Sequence, residues 1–139
     1  MLSTWQPKTD AALAAIIQQY LGLAIPKTAV CPGHAAPFSF VADAFYERAE
    51  SCLAIGPRSG GKTIDFAVIE FLEAAYKSAN SCHLGAVLSQ AKRAYKYVSG
   101  WANKFQADLN ISTITREHTV LGSGAEIEIV PGTVNGVNS

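Results

Sequence analysis

Gly56-Pro57-Arg58-Ser59-Gly60-Gly61-Lys62-Thr63 is the stretch on which the reading of this chain turns. It matches G-x-x-x-x-G-K-[ST], the phosphate-binding loop pattern. The chemistry of that pattern is specific. Glycines let backbone N–H groups turn inward around phosphate oxygens, the lysine reaches the terminal phosphates, and the threonine hydroxyl holds the Mg²⁺ that bridges them. The expected ligands are ATP and Mg²⁺. The expected contacts are Gly56, Pro57, Arg58, Ser59, Gly60, Gly61, Lys62 and Thr63, with Thr63 as the metal ligand. The plain alternative is a glycine-rich turn that caps an ordinary helix.

A phosphate loop should follow a buried strand and open a helix. Upstream, Cys52-Leu53-Ala54-Ile55 is a short uncharged run that predicts a buried strand. Downstream, residues 64 to 78 contain no Gly or Pro. Ile64, Ala67, Val68, Phe71, Leu72, Ala75 and Tyr76 recur there at helical spacing, with Phe66 and Ile69 widening the apolar face. Asp65, Glu70, Glu73 and Lys77 are left for the wet side. A phosphate at the start of such a helix would meet its positive dipole end.

Working outward, Thr9 or Asp10 can cap a helix that runs to about Leu21 and ends near Gly22. Residues 23–37 read as a loop. Pro37 suits the start of a second helix, from Phe38 to about Ala49, with Phe40, Val41, Ala44 and Phe45 inward. Gly85-Ala86-Val87-Leu88 predicts a second buried strand, and Ser89 can cap the helix after it. In that helix Ala91, Ala94, Tyr95, Val98, Trp101, Ala102 and Phe105 form one stripe. Lys92, Arg93, Lys96 and Lys104 lie off it. Glu117 to Leu121, then Gly122-Ser123-Gly124, then Ala125 to Val130 is a β-hairpin signature, and its second strand alternates. Residues 133–139 read as a polar tail. The order predicts an α/β fold, P-loop NTPase-like, with a largely parallel sheet flanked by helices, N-terminal helices and a C-terminal hairpin.

Bulk properties narrow the class. At 139 residues, 49% of them hydrophobic, the chain has material for one core. Eleven basic and eleven acidic residues cancel, so no global field attracts nucleic acid or acidic membranes. From Arg58 to Lys104, however, basic residues outnumber acidic ones, which reads either as a phosphate-facing side or as solvated helix surface. The apolar stretch from Ala11 to Ile25 is too short and too polar to span a bilayer, and it lacks the marks of a signal peptide. Three cysteines, Cys31, Cys52 and Cys82, suggest no disulfide framework and a reducing compartment. A zinc set of Cys31, His34, Cys82 and His83 is disfavoured, because adjacent residues on a strand point to opposite faces.

A hydrolysing P-loop enzyme also needs a carboxylate at the end of another strand, to hold Mg²⁺ and to polarise water. Glu70 lies within the P-loop helix, and Glu126 and Glu128 alternate in a strand facing solvent. None fills that place. The expectation is therefore an incomplete domain, the N-terminal part of a longer ATPase, that by itself hydrolyses negligibly.

These residues resemble the start of the ATPase domain of a tailed-phage terminase large subunit. The likeness covers roughly residues 35–139. It rests on the P-loop with an arginine four residues before its lysine, on Val87-Leu88-Ser89-Gln90-Ala91 opening the next helix, and on Ala125 to Val130 followed by Pro131-Gly132-Thr133. It implies a division into an N-terminal helix-and-loop segment, 1–36, and an ATPase segment, 37–139. It implies that Lys62 contacts the β/γ-phosphates and that Arg58 stabilises the γ-phosphate in cis, both as catalytic residues of a hydrolase. Gln90 is a weaker candidate contact. The implied partners are double-stranded DNA, a portal, a small terminase subunit and copies of the chain itself, with no membrane. The implied location is the cytoplasm of an infected bacterium. The family's acidic strand, coupling motif and nuclease have no counterpart in this chain. A helicase, a small-molecule kinase and a non-hydrolysing nucleotide-binding or assembly module are the alternatives.

Overall fold

The computed structural model describes residues 1–133. The polar tail read from the sequence falls almost wholly at 134–139, outside the described residues. A short 3₁₀ turn at Leu2–Thr4 precedes helix α1, Asp10–Ile16. The Thr9 hydroxyl accepts from the Ala12 N–H at 3.2 Å, so one of the otherwise unpaired donors of the first turn is satisfied. A π-type turn, Ile17–Leu21, extends α1 and ends at Gly22, whose φ is 71°. Leu13, Ile16, Ile17 and Leu21 are all buried.

Helix α2 spans Pro37–Phe45. Proline sits well at its first position, because that N–H has no intrahelical partner to lose. The helix stops four residues short of expectation. Phe38, Val41, Ala42 and Phe45 are its buried residues, whereas Phe40 and Ala44 only flank the core. Arg48 then ties α2 to α1 through Asp10 at 2.5 Å and Asp43 at 3.0 Å. These partners are half-exposed, so solvent screening leaves the tie weak.

Helix α3, Lys62–Lys77, and helix α4, Leu88–Lys104, carry most of the core. They pack on each other, α2 packs on α3, and α4 also covers the sheet. The whole α4 stripe from Ala91 to Phe105 is buried as expected. Phe71 of α3 meets Trp101 and Phe105 with ring centroids 5.7 and 6.2 Å apart. Leu2, Leu13 and Val41 belong to the same cluster as Phe71 and Ile127, so the N-terminal segment shares one core with the rest.

The sheet has four strands: β1 Ser81–Gly85, β2 Thr113–Ile114, β3 His118–Val120 and β4 Glu126–Pro131, in the order β1-β4-β3-β2. Strand β1 runs parallel to β4, and the β3–β4 and β2–β3 pairs are antiparallel. The hairpin is where the sequence predicts it. On β4, Ile127 and Ile129 are buried while Glu126 and Glu128 face solvent. The fold is therefore α/β with a mixed, open sheet, not a largely parallel one. A parallel pair must close over a long crossover, and only β1 and β4 do so here.

Two strand expectations fail. The segment 85–88 is not a strand. Strand β1 ends at Gly85, and Leu88 already opens α4 behind Val87, an extended N-cap, so Ser89 caps nothing. A Cβ at Gly85 would lie 2.7 Å from the Ala91 nitrogen and 2.9 Å from the Val87 carbonyl oxygen. The strand can turn into the helix only because that position is glycine. The run Cys52 to Ile55 also forms no strand. Leu53 is 83% and Ile55 89% exposed, and neither belongs to the sheet. Apolar composition marks a segment that would bury well, but a strand needs a ladder partner, and no described strand runs beside this one.

Candidate functional site

The loop 56–63 lies at the start of α3. A turn closes it, with the Gly60 N–H donating to the Pro57 carbonyl at 3.3 Å. Ser59 and Gly61 take positive φ of 61° and 83°. Gly61 is the N-cap of α3, and a left-handed N-cap costs glycine little. A Cβ on Gly60 would meet the Pro57 oxygen at 3.1 Å and the proline ring at 3.3 Å, so the cradle is sized for glycine. No side chain caps α3. The N–H groups of Ile64 and Asp65 bond back to the Gly61 carbonyl at 3.0 Å, but those of Lys62 and Thr63 have no partner among the described residues. Unpaired donors at a helix N-terminus are the physical requirement for holding an anion.

Lys62 folds back over this loop. Its Nζ donates to the carbonyls of Gly56 at 2.5 Å and Pro57 at 2.7 Å. An ammonium has three donors, so one remains for a ligand without any rearrangement. Thr63 is exposed and its hydroxyl makes no hydrogen bond among the described residues. Arg58 is exposed and has no ion pair among the described residues, so none of their charges orients its guanidinium. The structure thus brings Gly56, Pro57, Ser59, Gly60, Gly61, Lys62 and Thr63 into one turn and leaves Arg58 at its rim.

Two cavities with no lining residue in common border this turn. Thr63 borders one of about 530 Å³ that also receives Arg93, Lys96, Tyr97 and Trp101 from α4. Arg93 and Lys96 read as off-stripe surface in the sequence, and their juxtaposition with Thr63 required the α3–α4 packing. Gln90 is exposed at the start of α4 and does not border that cavity. The second cavity, about 280 Å³, lies between the loop and the segment 23–26, and it receives Ile64 and Asp65.

Asp65 is the residue that sequence reasoning misplaced. Helical spacing assigns it to solvent, yet it is only 6% exposed. Burial pushes its carboxyl up from 3.8 to about 6. Its neighbour in the miss is Glu70. One Glu70 oxygen lies 2.6 Å from His83 Nδ1 and the other is buried with no partner among the described residues. Both acids turned inward because α3 is covered on more than one side, by α2 and by α4. The hydrogen bond to Glu70 holds the His83 imidazole above its ordinary pKa, against the opposing effect of burial.

The remaining acids serve elsewhere. Glu126 is 3.1 Å from His118, and Glu117 is 2.9 Å from Lys92. Cys31 and Cys82 are exposed, His83 is engaged by Glu70, and no cluster of three or more His, Cys, Asp or Glu that could hold a metal occurs among the described residues. For Mg²⁺ the loop offers the hydroxyl of Thr63 at the start of α3, which fits a cation that keeps most of its water and takes the rest of its ligands from phosphate.

Comparison with known proteins adds no assignment. No protein-family model matches the chain, and neither a curated protein nor a solved structure does.

Proposed function

We propose that the loop Gly56–Thr63 binds the triphosphate of ATP with Mg²⁺, and that the chain is the ATP-binding part of a terminase-type motor that packages double-stranded DNA. One observation carries the nucleotide reading. The start of α3 presents unpartnered N–H groups behind a left-handed Gly61, with the Lys62 ammonium folded over the same turn. A surface helix with an ordinary cap would have a side chain accepting from those donors. In this reading the loop amides hold the inner phosphates. Lys62 exchanges its carbonyl partners for β/γ-phosphate oxygens. Arg58 lies free to reach the transferring phosphoryl group, where negative charge redistributes as the bond breaks. Mg²⁺, bound at Thr63, would neutralise phosphate charge. DNA, a portal, a small subunit and further copies of the chain are partners that belong to the terminase reading, which rests on the sequence resemblance. No helix among the described residues is long and apolar enough to cross a membrane.

Calorimetric titration with Mg·ATP tests the nucleotide reading. The wild-type chain should bind, and Lys62→Ala should bind at least about tenfold more weakly, the scale of one lost charge-assisted hydrogen bond. Equal affinity in two folded proteins refutes it.

A second reading, nucleotide binding without turnover, has its own support. Glu70 and Glu126 are engaged by histidines, and the segment 52–55 that leads into the loop is unpaired. Phosphate release from this chain at saturating ATP should therefore stay far below about 1 s⁻¹, the low end of ordinary enzymes. Lys62-dependent turnover at or above that rate would show that a carboxylate does serve the loop.

A further inference from the structure

The smaller cavity has a composition that the phosphate reading does not use. One wall is the loop itself, Gly60 and Gly61 with Ile64. The other is the apolar segment that includes Leu23 and Ile25. At the junction sits Asp65. Its carboxylate oxygens lie 3.8 and 3.9 Å from where a Cβ on Gly61 would be. The side chain is more than nine-tenths buried, and it makes no hydrogen bond or ion pair among the described residues. Its oxygens are not fully buried, so they open onto accessible space, and Asp65 lines the cavity.

The direction of the loop says what enters that space. Along the chain the terminal phosphates belong to Lys62 and Thr63, and Thr63 borders the large cavity, which shares no lining residue with the small one. Ile64 and Asp65, next in sequence, face the small one. A triphosphate laid across the start of α3 with its terminal end at Thr63 therefore delivers its other end, the nucleoside, to the small cavity. The volume of about 280 Å³ suits a nucleobase and not a whole nucleotide. Apolar walls suit the faces of a planar ring, and a few placed polar groups set specificity in such sites.

We infer that the cavity between the loop and the segment 23–26 is the nucleoside subsite, and that Asp65 accepts a hydrogen bond from a nucleoside donor. That donor is a base amine or a ribose hydroxyl, since a carboxylate accepts equally from both. Asp65 is thus a specificity residue, not a phosphate contact. A carboxylate would repel phosphate, whereas a nucleoside donor would satisfy it. This inference rests on the phosphate reading of the loop, and its test separates the two.

The probes are Mg²⁺ complexes of ATP, of 2′,3′-dideoxy-ATP, of purine riboside triphosphate (which lacks the amine) and of inorganic triphosphate, titrated into the full chain by calorimetry. Wild type should bind ATP roughly tenfold or more tighter than inorganic triphosphate. Asp65→Ala should remove most of that advantage and Asp65→Asn, which keeps an acceptor oxygen but loses the charge, should remove part of it, and both should leave inorganic triphosphate within about twofold of wild type, because the phosphate cradle is untouched. Loss of the advantage with the amine-less base identifies a base donor, and loss with the dideoxy sugar identifies a ribose donor. Ile25→Trp, which narrows the cavity from the wall that faces the loop, should weaken ATP far more than inorganic triphosphate. The inference is overturned if wild type binds ATP and inorganic triphosphate equally, if the Asp65 variants weaken both alike, if neither ligand deletion matters, or if Ile25→Trp leaves ATP unchanged. Failure of wild type to bind even inorganic triphosphate would instead remove the phosphate reading, and this inference with it.

Discussion

Replacing Asp65 by asparagine should stabilise this protein at neutral pH. The carboxyl is buried at the first turn of α3, and burial raises its pKa from 3.8 to about 6. The sign follows from proton linkage. The folded state binds its proton more tightly than the unfolded state, so the group's stabilising contribution is complete below pH 3.8 and is lost as pH rises to about 6. Above that, the buried charge costs the fold about 3 kcal/mol, from a shift of about two units at 1.36 kcal/mol each. Asparagine keeps the shape and removes the charge. Its own amide lacks a partner and costs about 1 kcal/mol of that gain. A net stabilisation of about 2 kcal/mol remains, which moves a urea midpoint upward by roughly 1 M at typical slopes. The assay is urea unfolding of both proteins with EDTA and without nucleotide, at pH 7.5 and at pH 3.5. The variant should be more stable by about 2 kcal/mol at pH 7.5, and at pH 3.5, where only the amide penalty remains, it should be less stable by about 1 kcal/mol. An acidic residue in a first helical turn can also stabilise by meeting the helix dipole. If Asp65 does mainly that, the asparagine variant will be equal or weaker at pH 7.5, and the desolvation argument fails.

The His83–Glu70 pair should act in a separate window. The His83 pKa is raised by its hydrogen bond to Glu70, so its contribution is complete below the ordinary imidazole value near 6.5 and declines as pH rises above it. His83→Gln should flatten the stability–pH curve of wild type above about pH 6.5, and an unchanged curve would show that the pair is not coupled to folding. Gly85→Ala should cost about 2 kcal/mol, since its Cβ would press on backbone atoms at 2.7 and 2.9 Å with no flexible side chain to yield. An unchanged melting temperature would contradict that packing. Arg58→Ala should leave ATP affinity nearly unchanged while lowering kcat of an assembled motor by roughly 100-fold, the effect of one lost electrostatic donor in a transition state. Unchanged kcat would return Arg58 to the status of an exposed turn residue.

The elements that were legible in the sequence are those whose hydrogen bonds close locally. The caps at Thr9 and Pro37, the α4 stripe from Ala91 to Phe105 and the hairpin around Gly122-Ser123-Gly124 each state their structure within a few residues. The loop 56–63 was legible for the same reason, because its conformation depends on Gly60, Gly61 and the helix they begin. Pairing partners decided the rest. Cys52 to Ile55 and Gly85 to Leu88 are equally apolar, yet neither is a strand, while β1 forms upstream at Ser81–Gly85 because β4 lies beside it in register. Asp65 and Glu70 sit on positions that one helix alone would show to water. Tertiary packing buried them, Asp65 against the turn at Gly61 and Glu70 against His83. The same packing carried Arg93 and Lys96 to the cavity beside Thr63. Local sequence determines which groups a segment must satisfy. Which distant segment arrives to satisfy them depends on how the helices and strands close over one core, and that is the part that no window of sequence contains.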